Sequence, residues 1–184
     1  LFYNKLENQE GRCGRMRSRA CTCCFTGHRP EKLPWGSDEE DPRCAALKQR
    51  LHDAVESAYD EGLRHFICGM ARGCDLYFAE AVLALRAERG DVSLEAAIPC
   101  PNQTNNWPEA DRVRWRQILA VCDLETMVQD HYTPGCMLRR NRYMVDHSTL
   151  VIAVYDGTNG GTRRTLEYAI RQKIPFVDIR PVEE

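Results

Sequence analysis

The sequence predicts an α/β domain built on one doubly wound, mostly parallel sheet with helices on both faces. Short apolar runs alternate with amphipathic stretches of ten or more residues from residue 20 to residue 179. A crossover between parallel strands needs connections of about that length. The most apolar run, "TLVIAVY" at 149–155, has no polar alternation, as a strand covered on both sides requires. At 184 residues and 43% apolar, without a repeat, a low-complexity tract or a linker, the chain suits one core.

The elements follow in order. "ACTCCFTG" (20–27) reads as a buried strand ending in a glycine turn. Residues 41–62 read as a helix: Asp41 caps it, Pro42 fits its first turn and Gly62 ends it. Leu47, Leu51, Ala54, Val55 and Ala58 share its apolar face. A strand at 64–69 leads through a glycine-bearing turn to a helix at about 73–89. Strands at 92–100, 124–129, 149–155 and 174–179 then alternate with helices at 108–122, 135–147 and 162–172. Right-handed crossovers make the whole Rossmann-like. Residues 1–15 read as a disordered N-terminal extension or cloning remnant, leaving a single domain at 16–184.

Bulk properties exclude several classes. Net charge is −2, and no apolar stretch approaches the ~20 residues that cross a bilayer. The N-terminus lacks the apolar core and small-residue site of a secretory signal. Ten cysteines spread through regular elements predict free, mostly buried thiols in a reducing cytoplasm, not a disulfide scaffold. Zinc at Cys13, Cys21, Cys23 and Cys24 is disfavoured, because the cluster lacks paired C-x-x-C knuckles. No metal and no cofactor are expected. Neither G-x-G-x-x-G after the first strand nor a Walker A sequence is present, which disfavours a standard NAD enzyme or P-loop ATPase.

In open α/β sheets, ligands bind beyond the carboxyl ends of the strands. The first strand exits into Gly27, His28 and Arg29, and the second into Gly69, Arg72, Gly73 and Asp75. The third leads to Gln103 and Trp107, and the fourth to Arg140 and Asn141. The fifth exits into "YDGTNGGTRRTLEYA", with Gly160, Gly161, Thr162 and Thr165. Glycines let backbone N–H groups approach an anion, helix starts add unpaired donors, and arginine offers a planar fork for phosphate. Any one of these residues alone reads as an ordinary turn, cap or surface side chain. Their convergence on one edge predicts a site for a phosphorylated nucleoside or similar small molecule.

The segments "TGHRP", "GMARGCD", "IPCPNQTNNW", "YTPGCMLRRNRYMVDHS" and "VYDGTNGGTRRTLEYA" together resemble the YpsA-like branch of the SLOG superfamily. The resemblance runs from about Cys21 to the C-terminus and implies a Rossmann-like domain that binds a nucleotide or nucleotide-derived ligand, ADP-ribose-like molecules included. By analogy with related SLOG proteins it also implies a homodimer. More distantly, the chain is similar to the Lonely Guy phosphoribohydrolases, which cleave nucleoside 5′-monophosphates. That similarity implies Glu167 and Arg140 as catalytic residues, although Leu138, Asn141 and Asn159 depart from the pattern and a shifted register puts Thr165 in place of Glu167. The leading expectation is a cytoplasmic binding or sensor domain, with a phosphoribohydrolase as the alternative. DNA-processing kin suggest nucleic acid, against which the acidic balance argues.

Overall fold

A computed structural model describes residues 18–182, so the extension expected at 1–15 and Cys13 lie outside the described residues. The strands are β1 (Thr22–Thr26), β2 (His65–Cys68), β3 (Ser93–Ile98), β4 (Leu124–Met127), β5 (Leu150–Val154) and β6 (Phe176–Ile179). The connecting helices are α1 (Pro42–Asp60), α2 (Cys74–Arg89), α3 (Glu109–Val121), α4 (Cys136–Asp146) and α5 (Gly161–Arg171). All six strands join one sheet in the order β4-β3-β2-β1-β5-β6, and every pairing is parallel. The doubly wound architecture read from the sequence is therefore the observed one.

Local chemistry explains the elements. Asp41 caps α1 by accepting the Arg43 backbone N–H at 2.8 Å, and Pro42 follows it in the first turn. In β1 all five residues are buried. Successive side chains of a strand point to opposite faces. Accordingly, Cys23 and Phe25 pack with the apolar faces of α1 and α2, and Cys24 packs with Met144, Val145, Leu166 and Ala169 from α4 and α5. Phe25 stacks on Phe78 of α2 with ring centroids 4.5 Å apart. The nine described cysteines are all free, with only Cys21 and Cys122 reaching partial exposure.

One polar cluster is built into the sheet. His65 Nδ1 lies 2.8 Å from Ser93 Oγ, and its Nε2 lies 2.8 Å from Glu95 Oε2. Tyr143 of α4 donates its hydroxyl to Glu95 Oε1 at 2.7 Å. Burial alone would raise the Glu95 carboxyl, but His65 and Tyr143 together hold it below the usual range.

What positions the site is the direction of winding. The chain steps outward from β1 to β4, then returns to lay β5 against the other side of β1. Thr26 pairs with Ala153, so β1 and β5 end side by side and their exit loops part in opposite directions. The crevice between them is a topological switch point.

Candidate anion-binding cleft

A cleft of about 360 Å³ opens at that switch point. Of the sequence-predicted residues, Gly27, His28, Arg29, Asp75, Arg140, Asn141, Gly161 and Thr162 line it. They come from four strand exits that the fold brings together.

Arg140 forms part of its lining. The side chain is 4% exposed, yet no described carboxylate makes an ion pair with it. Its Nη1 donates to the Gly69 and Ala97 carbonyls, and its Nε donates to Asn141 Oδ1 at 2.7 Å. Nη2 has no acceptor among the described residues and is not sealed from solvent. Burial lowers the arginine's pKa, and the nearby Asp75 charge only partly offsets that. Gly69 makes the geometry possible, because a Cβ there would overlap Nη1.

The second cationic feature is the start of α5. Gly160 caps it without any side-chain hydrogen bond, leaving first-turn N–H groups unpaired, and Gly161 and Thr162 face the cleft. Thr165 Oγ1 donates to the Gly161 carbonyl at 2.9 Å and accepts from Asn141 Nδ2 at 2.7 Å. Asn141 in turn holds Arg140, so one hydrogen-bonded chain couples the helix start to the arginine. Lys32 reaches over from the turn after β1, donating to Thr158 Oγ1 at 3.1 Å and to the Asn159 carbonyl.

Two carboxylates at this site have opposite environments. Asp75 Oδ2 accepts the Ala71 N–H at 3.0 Å, but burial pushes its carboxyl above the ordinary range despite Arg140. Asp156 is partly buried, which would raise it; hydrogen bonds from Thr158 and His28 outweigh that and hold it at about 2. His28 Nε2 lies 2.7 Å from Asp156 Oδ1, and the Asp156 backbone N lies 3.2 Å from the same nitrogen. Nδ1 has no hydrogen-bond partner among the described residues.

Other predicted residues stand behind the cleft. Gly73 caps α2 at φ +78°, a conformation that favours glycine, against His28 and Pro30. Gln103 donates to the Gly69 and Met70 carbonyls, bracing the same loop. Arg72 is spent on Asp111 at 2.6 Å and Glu31 at 2.8 Å, and Trp107 is not among the residues lining the cleft. Glu167 does not meet Arg140. It lines a separate groove between α4 and α5 and pairs with Arg163 at 2.9 Å. The predicted catalytic pair is not brought together, because Glu167 lies about 140° around the helix from Thr162. Sequence reasoning missed Lys32. Met137 and Met144, which fall in register with Arg140 in the phosphoribohydrolase-like pattern, share its helical face and line the cleft beside it.

An open parallel sheet with an uncapped helix start and a buried arginine at its switch point defines a Rossmann-like domain carrying a cationic cleft. The chain belongs to the YspA SLOG family, whose profile matches residues 23–175. It is similar to the SPbeta prophage-derived protein YoqJ of Bacillus subtilis (strain 168), at 29% identity over 143 residues, 71% of this chain and 84% of that one. A UPF0398 protein of Bacillus cereus (strain G9842) is 25% identical over 150 residues, 80% of this chain and 81% of that one. Among solved structures, DNA processing protein A from Helicobacter pylori, described for its single-stranded DNA binding mode, superposes with a TM-score of 0.59 at 16% identity. The match covers 89% of this chain and 66% of that one. For the Streptococcus pneumoniae protein the TM-score is 0.53 at 18% identity, covering 86% and 50%. That likeness is one of fold, and this chain spans half to two thirds of those longer chains.

Proposed function

We propose that the cleft binds a phosphorylated nucleoside or a nucleotide-derived small molecule, with its phosphate between the start of α5, Lys32 and Arg140. The observation that carries this reading is the buried Arg140 guanidinium, with Nη2 unpaired at the cleft. The Asp75 charge only partly offsets the cost of burying this guanidinium, and an anion in the cleft removes more of it. Membership of the SLOG family agrees with a nucleotide-type ligand. Among the described residues, no helix is long and apolar enough to cross a membrane.

Calorimetric titration tests the reading, with AMP, GMP, CMP, UMP, IMP, ADP-ribose and inorganic phosphate as probes. At least one nucleotide binds, and Arg140→Met weakens it about tenfold or more. No binding by any nucleotide overturns the proposal, and stronger retention of single-stranded DNA than of any nucleotide redirects it to nucleic acid.

A further inference from the structure

Two sulfurs meet in the part of the fold that carries Arg140. Cys100, just beyond β3, and Cys136, the first residue of α4, are both buried, and their Sγ atoms lie 3.9 Å apart. Both thiols are free. Exposed residues adjoin each of them, Pro101 and Asn102 after Cys100 and Pro134 and Gly135 before Cys136, so surface loops border the pair.

The same two elements hold the arginine. Arg140 lies one helical turn after Cys136 on the same face of α4, and its Nη1 donates to the carbonyl of Ala97, three residues before Cys100. Gln103, three residues after Cys100, donates to the Gly69 carbonyl that also accepts from Arg140. A covalent link would close the sulfurs from 3.9 Å to about 2 Å. Gly135 caps α4 at φ +89°, and a Cβ there would meet no atom within 4 Å, so the start of α4 has room to yield.

We propose that Cys100 and Cys136 form a reversible dithiol–disulfide pair whose oxidation by a peroxide shifts the start of α4, displaces Arg140 and weakens anion binding in the cleft. The link and the displacement stand apart from the binding reading above, and the change in affinity rests on it. Two free thiols in contact have the arrangement of a redox sensor with its resolving cysteine.

The step balances. The Cys136 sulfur, as thiolate, attacks one oxygen of hydrogen peroxide, the O–O bond breaks, and the departing hydroxide takes up the proton the thiol gave up, leaving as water. Burial and the neighbouring Cys136 push the Cys100 thiol up, which assigns Cys100 the second step. Its sulfur attacks the sulfenic sulfur, the S–O bond breaks, and the Cys100 proton leaves with the hydroxide as a second water. Two electrons pass from the sulfurs to the peroxide, and a dithiol reductant returns both thiols by exchange.

The full chain, freshly reduced, is treated with hydrogen peroxide, alkylated and digested, and its peptides are mapped by mass spectrometry. Affinities for AMP, GMP, CMP, UMP, IMP and ADP-ribose are measured by calorimetry before and after treatment, and the Arg140 guanidinium is followed by NMR. A peptide linked through Cys100 and Cys136, a shifted Arg140 signal and about tenfold weaker nucleotide binding are expected. Dithiothreitol restores the starting values, which separates this response from methionine oxidation, reversed only by dedicated reductases. Cys100→Ser abolishes the response, and Cys136→Ala replaces it as the test if melting curves show that the first variant does not fold. Absence of the linked peptide overturns the inference, as does a linked chain whose Arg140 signal matches that of the reduced chain. A chain that binds no nucleotide in either state overturns the binding reading alone, and a linked peptide with a displaced Arg140 signal then still upholds this one.

Discussion

Replacing Gly69 with alanine drives a methyl group into the guanidinium of Arg140. The new Cβ would overlap Nη1 and lie 2.5 Å from Cζ and 2.9 Å from Asp75 Oδ2. The Gly69 backbone is not in a left-handed conformation, so the effect is steric. The arginine must retreat, losing its bonds to the Gly69 and Ala97 carbonyls. Overpacking costs about 1–3 kcal/mol, and a hydrogen bond to a charged group is worth about 1.5–3 kcal/mol. These overlap, for a net loss of about 3 kcal/mol, or a fall in Tm of about 6–12 °C for a domain of this size. Nucleotide affinity drops about tenfold or more as Nη2 leaves the cleft. Gly161→Ala is the control: its Cβ would meet no atom within 4 Å, so stability should stay within about 0.5 kcal/mol. Thermal melts with parallel calorimetry check both. A Gly69→Ala protein that melts and binds like the parent refutes the reasoning about Arg140.

Further outcomes follow from the same geometry. The Asp156 carboxyl titrates at about 2 by NMR, and His28→Gln moves its midpoint upward, because one of the hydrogen bonds holding it down is lost. Glu95 has a depressed pKa when folded, so its contribution to stability is present above the unfolded value of about 4.3 and is lost as pH falls through the folded one. Urea midpoints measured below pH 5 therefore fall less steeply in Glu95→Gln, which starts about 1.5–3 kcal/mol less stable because the hydrogen bonds that His65 and Tyr143 make to the carboxylate are weakened. Lys32→Ala weakens nucleotide binding about threefold to tenfold with little change in Tm, since Lys32 is exposed. Glu167→Ala leaves affinity within about twofold, because its ion pair with Arg163 is a surface pair outside the cleft.

The fold was legible because strand burial leaves a strong mark. The uninterrupted apolar runs of β1 and β5 could lie only between two layers, and the helical period of α1 placed Leu47, Leu51 and Val55 in the core. The convergence of strand exits was legible for the same reason: topology alone brings Gly27, Asp75, Arg140 and Gly161 to one edge. Side-chain direction was not. Arg72 and Arg140 look alike in sequence, yet the first is consumed by Asp111 and Glu31 while the second keeps a free nitrogen. Glu167 sits two residues after Thr165, and two residues are enough to turn a helical side chain to the far side. Lys32 escaped notice because nothing local marks it, and its partners Thr158 and Asn159 lie more than a hundred residues away.

The most direct measurement is an amide and arginine side-chain NMR titration of the full chain with whichever nucleoside 5′-monophosphate binds most tightly. With the phosphate seated at the start of α5, the largest shifts fall on the amides of Gly161, Thr162 and Arg163 and on the Arg140 guanidinium. Shifts centred instead on Tyr168, Glu167 and Arg171 in the α4–α5 groove, with the start of α5 and Arg140 unmoved, would contradict it.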